Sequence, residues 1–533
     1  MRQKLETSFA GACFGVACTI GLLGAFVGLE TRSLWLDELY TAGIVEPIGR
    51  AGDLWTRIAG DLNSPLYFIV LFVYSKLAGT SDAALRGFSA LCACGAVLIF
   101  VTATRRSFSL LARLFGSAMA TGSVYWFVQS QNARNYALAL LVGAGILALC
   151  LALLEEARRR EPAPPRLLFP LIALMFIGAF THFYLVFESV AALMVLALWR
   201  PRQRLLMAGT AVALLAVSFL YLKLFVATHS QILMGNYWIQ NNLAWYVFEL
   251  RFSSFSAFGK LGRATVAICI AAVAARALWT GLRRGEPSAS GAVPLNRFPF
   301  DPVTTLLVGV PVLMLMAAVS SSLLVAPNFA SRYLLICAPF LWGLCARLYD
   351  VAQAGAPRLF RLTLDVVLAA ATLAMATLVS SRIYPSDITL LWSEPFRSSA
   401  EWIRGLPECR GQMIPVITND GRGWYKPGYA EDIYDNAYAR YLRGFARPEL
   451  VFGQDILPGP MPAALKAEMQ RRIDGQGCSV LGWSAHYMTG GQIAALRDEI
   501  LKATDRPGAA SLLEAKEFRD GFQGYVLYVK RKP

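Results

Sequence analysis

Apolar runs of about 20 residues, separated by short basic clusters, recur along this chain, and a run of that length matches the thickness of a bilayer core. The first, Phe9 to Leu29, follows Arg2 and Lys4. It is longer than a signal-peptide core and carries no small-residue cleavage site, so it reads as a retained span. On the rule of roughly 20 apolar residues per span, about eleven are expected, near 9–30, 85–104, 108–128, 135–155, 167–181, 184–199, 203–226, 263–281, 302–325, 333–350 and 360–381. Composition agrees: 56% of residues are hydrophobic and 16% charged, far below the roughly one-quarter charged of a soluble domain, so lipid must solvate most of the chain.

The formal charge of +15 is not a nucleic-acid footprint, because its basic residues fall between apolar runs. With Arg2 and Lys4 in the cytoplasm and one crossing per span, Arg105 and Arg106, Arg158 to Arg160, Arg200 to Arg204, and Arg283 and Arg284 all return to the cytoplasmic side. Segment 64–80 is apolar but short, and counting it as a span would invert everything after it. It is therefore expected to be interfacial or re-entrant, which makes 31–84 one long external loop.

Near Tyr384 the composition turns polar, dividing the chain into a membrane domain, 1–383, and a soluble domain, 384–533. Apolar runs at Ile414–Thr418, Val480–Trp483 and Tyr525–Val529 predict strands, and the spacing at 398–405, 462–473 and 491–503 predicts helices, giving an α/β domain. The same parity puts it outside the cytoplasm. Eight of the ten cysteines lie in apolar segments, and only Cys409 and Cys478 are candidates for a disulfide. The segments 161–166 and 284–302 read as cytoplasmic linkers.

Just past the first span, Asp37 and Glu38 sit among Trp35, Leu36, Leu39 and Tyr40 at the membrane surface. Three further segments carry polar residues at span ends: Asp61-Leu62-Asn63-Ser64-Pro65-Leu66-Tyr67 leading to Arg86, then Gln131 to Leu138 with Arg134 and Tyr136, and Arg332-Tyr333-Leu334-Leu335 before Pro339. In order and spacing these four segments resemble the GT-C glycosyltransferases, in the branch of protein O-mannosyltransferases and lipid A aminoarabinose transferases. The likeness covers most of the first 340 residues.

The resemblance implies an α-helical polytopic membrane protein with a C-terminal soluble α/β domain, transferring one sugar from a polyprenyl-phosphate donor to a cell-envelope glycan, lipid or protein. It implies a bacterial inner-membrane protein with its active site and C-terminal domain on the periplasmic side. The first acid of the external loop, Asp37, takes the role of general base, and Glu38 orients the acceptor or the base. The chemistry asks for the same groups, since displacement at an anomeric carbon needs a base on the acceptor and compensation for the departing phosphate. Arg134, Arg332 and Arg86, with Tyr333, are the candidates for that phosphate, Arg134 first and Arg332 second; a snorkelling anchor would explain any one of them alone.

Tyr40, Asn63, Ser64, Tyr136 and His182 are candidate substrate contacts, although His182, at a turn between two spans, reads first as a structural or interface histidine. Many relatives have His-Pro-Pro where this chain has Asn63-Ser64-Pro65, and some have an acid where it has Ala139; these departures remove an imidazole and an acceptor-binding acid. No metal-ligand spacing, phosphate loop or dinucleotide motif is present in the sequence, so a divalent metal has no support there. His229, Tyr237, Trp238, Trp245 and Tyr246 suit an interfacial belt or a sugar platform, and Tyr425, Tyr434, Tyr438 and Tyr441 suit core packing or acceptor recognition. The rival functions are a flippase for a polyprenyl-linked sugar, which would want ionisable residues buried in mid-span, and a ligase moving whole glycans from the same carrier.

Overall fold

Polar residues between the apolar runs start and stop the helices. Ser81, Ser109 and Ser123 accept from the backbone N–H of Ala84, Ala112 and Trp126, and Asp301 accepts from Val303 and Thr304 ahead of Pro302, each supplying a donorless helix start with an acceptor. The computed structural model describes residues 2–46, 54–59, 61, 63–158, 164–226, 239, 242–256, 258–282, 301–325, 327–381, 393–417, 437–452, 461–486 and 488–530. His229, Tyr237, Trp238, Tyr425, Tyr434, the 383/384 boundary, residues 161–163 of the first linker and 284–300 of the second lie outside the described residues.

Helices occupy every expected apolar interval. Among the described residues, six are long and apolar enough to cross a membrane: Asp82–Ala103, Tyr136–Ala157, Pro201–Leu224, Gly259–Trp279, Pro302–Leu324 and Arg358–Ser380. Shorter apolar helices stand at Phe9–Gly24, Leu110–Thr121, Pro165–Thr181 and Tyr184–Trp199. Leu205, Phe219, Leu224 and Leu278 are exposed, a surface that only lipid solvates. Inside the bundle, backbones approach closely: a Cβ on Gly21 would lie 2.6 Å from Thr121 Cβ, and one on Gly24 2.7 Å from Ser380 Oγ. Small residues at such crossings let helices pack where no hydrophobic effect drives them together.

Two expected spans are broken for local reasons. The interval 108–128 splits into Leu110–Thr121 and Val124–Ser130 at Gly122, where a Cβ would meet Met375 Cβ at 2.9 Å. The interval 333–350 begins as Ser331–Leu334, tightens through Leu335–Cys337 and resumes as Ala338–Gln353, because Pro339 has no N–H to give the preceding turn. The doubtful segment forms the helix Leu66–Ala78 of 13 residues. At about 1.5 Å per residue it spans about 20 Å, short of the roughly 30 Å hydrocarbon core.

Arg106 and Arg200 stand at one end of the bundle, where Arg106 lies 3.8 Å from Glu156 and Arg200 Nε donates to Leu153 O at 3.1 Å. At the other end stand residues 31–46, the starts of Asp82–Ala103 and Tyr136–Arg158, and the soluble domain. That domain holds a five-stranded sheet of β1 (Met413–Ile417), β2 (Arg447–Phe452), β3 (Val480–Ser484), β4 (Leu513–Arg519) and β5 (Gln523–Val529), in the order β2-β1-β3-β5-β4. β1 runs parallel to β2 and β3, while β5 runs antiparallel to β3 and β4. The expected strands are β1, β3 and β5; the expected helices are Phe396–Arg404, Ala463–Ile473 and Gly490–Thr504. Cys409 and Cys478 are disulfide-bonded.

Candidate active site

The chain enters the site through the helix Leu36–Val45, which opens with both acids in its first turn, where the helix dipole favours carboxylates. Neighbouring residues leave a helix about 100° apart, so the two acids cannot share an environment. Glu38 points inward and is 1% exposed. Its Oε2 accepts from Trp35 N at 3.1 Å and Arg86 Nη2 at 2.6 Å, and its Oε1 from Arg86 Nε at 2.9 Å and Ala133 N at 2.7 Å.

Arg86 gives its remaining N–H groups to the carbonyls of Leu29 (2.8 Å), Arg32 (2.9 Å) and Ser33 (2.8 Å). Every donor of its guanidinium is thereby spent within the loop, leaving none for a phosphate. The expectation that Arg86 binds the donor phosphate is corrected on that ground: it folds the loop. Glu38 likewise has no oxygen to offer an acceptor, and of its two expected roles only orienting the base is compatible with these bonds.

The side chain of Asp37 is 32% exposed, and its Oδ2 lies 3.8 Å from Arg332 Nη1, whose side chain is 29% exposed. Arg134 is buried beneath the same helix and donates from Nη1 to Asp37 O and Thr41 Oγ1, each at 3.2 Å. Its Nε has no hydrogen-bond partner among the described residues. Arg332 is held from behind, since Tyr125 donates to its carbonyl at 3.2 Å and Ser331 N donates to Glu249 Oε2 at 2.6 Å.

A cluster of rings walls the far side. Tyr136 stacks on Tyr333 with centroids 6.3 Å apart, His182 lies 5.6 Å from Tyr136 and 5.4 Å from Tyr333, and Tyr184 lies 5.1 Å from Tyr333. Arg332 sits over Tyr333 at 5.4 Å. His182 lies in the turn between Pro165–Thr181 and Tyr184–Trp199, where its Nδ1 accepts from Tyr184 N at 3.1 Å. Burial first, then Arg134 and Arg332, lowers its pKa to about 3. It is thus a neutral ring with its proton on Nε2, a donor rather than a base.

Asn63 donates through N and Nδ2 to Asp61 Oδ1, both at 2.9 Å, and Asn135 Nδ2 reaches Asn63 Oδ1 at 3.5 Å. Ser64 is 1% exposed and donates to Ala179 O at 3.2 Å, so it ties the loop to a helix and is corrected as a substrate contact. Tyr40 packs half-buried against the apolar core. Asp37, Arg134, Arg332, Tyr136, Tyr333 and His182 therefore come together in one cluster, with Asn63 beside them and with Asp37 and Arg332 its part-exposed members. Below the rings Glu188 is fully buried; neither oxygen is hydrogen-bonded among the described residues, and a Cβ on Gly143 would lie 3.2 Å away. No group of three His, Cys, Asp or Glu among the described residues is arranged to hold a metal.

The soluble domain lends the loop two residues, Glu394, which sequence reasoning misses, and Tyr441, which it names in another role. Glu394 Oε2 accepts from Leu36 N at 3.0 Å, Ser33 Oγ donates to Glu394 O at 2.5 Å, and Leu34 N donates to Tyr441 Oη at 2.8 Å. Tyr441 donates its own hydroxyl hydrogen bond to Asp82 Oδ2 at 2.8 Å, and burial first, with Asp82 beside it, keeps that hydroxyl protonated. Tyr438 is core: its Oη accepts from Ala485 N at 2.9 Å and its ring meets Trp483 edge-on.

No protein-family model matches this sequence, and no curated protein matches it. Among solved structures, ArnT from Cupriavidus metallidurans in the apo state superimposes with a TM-score of 0.52 at 14% identity, covering 97% of this chain and 98% of that one. The same protein bound to undecaprenyl phosphate gives 0.50 at 14% identity, covering 97% and 99%. An Archaeoglobus fulgidus oligosaccharyltransferase in complex with Zn and sulfate gives 0.43 at 14% identity, covering 96% of this chain and 72% of that one. The likeness to ArnT establishes the fold, a helical membrane domain followed by a small α/β domain.

Proposed function

We propose that this chain is a membrane glycosyltransferase that moves a single sugar from a polyprenyl-phosphate carrier to an acceptor outside the cytoplasm, with Asp37 as general base. The observation that carries this reading is the part-exposed pair Asp37 and Arg332, 3.8 Å apart. A carboxylate and a guanidinium so placed can serve the two ends of one displacement. The acceptor oxygen attacks the anomeric carbon and gives its proton to Asp37; the bond from that carbon to the phosphate oxygen breaks, and the polyprenyl phosphate leaves with its charge against Arg332 and Arg134. A single displacement inverts the sugar. Tyr333, half-buried and stacked on Tyr136, offers a ring to it, and His182 a neutral N–H.

Three observations support carrier and side. The ArnT structure that shares this fold is one bound to undecaprenyl phosphate. The Arg-rich end of the bundle belongs in the cytoplasm by the positive-inside rule, which directs the site end outward. The disulfide of the soluble domain persists in an oxidising compartment. Lipopolysaccharide or lipid A, wall polysaccharide and protein remain the acceptor classes.

The test is Asp37→Asn in the full chain. Mass spectrometry of envelope glycolipids and glycoproteins should show one monosaccharide gained on a defined acceptor with the native chain and lost with the variant, at unchanged membrane insertion. Product yield equal to that of the native chain would reject Asp37 as the base.

A further inference from the structure

The helix that carries Asp37 is not capped by its own loop alone. Trp35 occupies the cap position, and the N–H of Leu36 next to it would be an orphan of the first turn. Its partner is a carboxylate 358 residues away: Glu394 Oε2, at 3.0 Å. Glu394 is 1% exposed, and its other oxygen lies 3.0 Å from His486 Nδ1, at the end of β3. Its backbone carbonyl takes the hydroxyl of Ser33.

We propose that Glu394 is a positioning residue for sugar transfer, a carboxylate of the soluble domain that fixes the first turn of Leu36–Val45 and hence the angle at which Asp37 meets Arg332. This rests on the reading of Asp37 as base. A negative charge at a helix N-terminus holds the orphan N–H more firmly than a neutral acceptor does. His486 behind it fixes the carboxylate's rotation, so that Oε2 alone faces Leu36. The soluble domain then completes the catalytic centre as well as standing beside it.

The domain does not depend on Glu394 to stay docked. Asp82 binds Arg397 at 2.6 Å and Arg440 at 2.9 Å, Tyr441 bridges Asp82 and Leu34, and Arg443 meets Glu46 at 3.0 Å. Loss of Glu394 therefore loosens the turn and leaves the interface in place.

Glu394→Ala, Glu394→Asp, Glu394→Gln and His486→Ala separate positioning from folding, each made in the full chain in lipid nanodiscs. Amide hydrogen exchange over 34–41 should accelerate about tenfold or more in Glu394→Ala and Glu394→Asp, the latter too short to reach Leu36. Glu394→Gln keeps an oxygen acceptor and should recover most of the protection. Transfer kcat should fall in the same order, with the dissociation constant for undecaprenyl phosphate within twofold of the native value. Exchange over 34–41 unchanged in Glu394→Ala would overturn the proposal, as would equal loss of kcat in the Ala and Gln variants. The exchange readout needs no sugar transfer, so it stands even where Asp37→Asn shows another group to be the base.

Discussion

The carboxylates of Asp37 and Glu38 leave one helical turn about 100° apart and meet different cations: Glu38 is sealed against Arg86 at 2.6 Å, while Asp37, 32% exposed, stands 3.8 Å from Arg332. Adjacent acids thus carry different work. The buried one is saturated by two guanidinium donors and two backbone N–H groups, and the other is part-exposed. Saturation is what makes the buried charge tolerable, since an ion pair out of water is stable only when its remaining valences are satisfied.

It follows that Glu38→Ala and Arg86→Ala each strand a buried charge. Each single variant should lose about 3–5 kcal/mol and insert poorly, whereas the double variant should lose less than the sum of the two. Thermal unfolding of the four proteins in one detergent measures the coupling. Additive losses would show that the pair is not the unit that holds the loop.

How far this site is legible in sequence follows from which residues are local. The apolar runs and basic clusters yield the bundle because both obey the bilayer, whatever else touches them. The acidic pair stands out for the same reason, as charge where charge is costly. What divides Asp37 from Glu38 is the rotation of a short helix, set by Arg86 from another element, and adjacent acids give no hint of that. Glu394 lies 358 residues from the N–H it caps, with no spacing to betray it. In the soluble domain, central β1 and β3 are buried and read as strands, but edge strands β4, Leu513–Arg519, with its alternating charges, and β2, with Pro448, look like loops.

Arg332 is the cation best exposed to a departing phosphate. Arg332→Ala should weaken binding of undecaprenyl phosphate by about 1.5–3 kcal/mol, roughly 10- to 100-fold, with little change in unfolding temperature. Arg332→Lys should recover part of it, because a point charge replaces a forked donor set. Arg134→Ala should cost stability as well as affinity, since Arg134 also supports Asp37 O and Thr41. Titration in nanodiscs distinguishes the two, and equal affinity in Arg332→Ala would remove Arg332 from the phosphate.

His182 gives a pH signature with a definite sign. Its folded pKa, about 3, lies below the ordinary 6.5, so between those values the unfolded chain binds a proton that the folded chain refuses. Stability from this residue is therefore complete above pH 6.5 and lost as pH falls toward 3, by about 2 kcal/mol at pH 5. His182→Asn should unfold at nearly the same temperature at pH 7.5 and pH 5, where the native chain shows a wider gap. The same ring stays neutral through physiological pH, so the variant's pH–rate profile should keep the native shape.

The disulfide tests how much of the catalytic loop depends on the soluble domain. Cys409 and Cys478 close a separation of 69 residues that encloses β1 and β2, and in the chain-entropy account such a loop is worth about 4 kcal/mol. Both cysteines are wholly buried, so reductant reaches them only when the domain opens. A Cys409→Ala, Cys478→Ala variant should therefore lose much of the domain's stability while the membrane helices, which hold no part of that loop, keep their circular dichroism. The bonds from Glu394 to Leu36 and from Tyr441 to Leu34 come from elements packed on that sheet, so transfer should fall with the domain and not with the bundle. Full activity with the soluble domain unfolded would show that the membrane domain shapes Leu36–Val45 unaided.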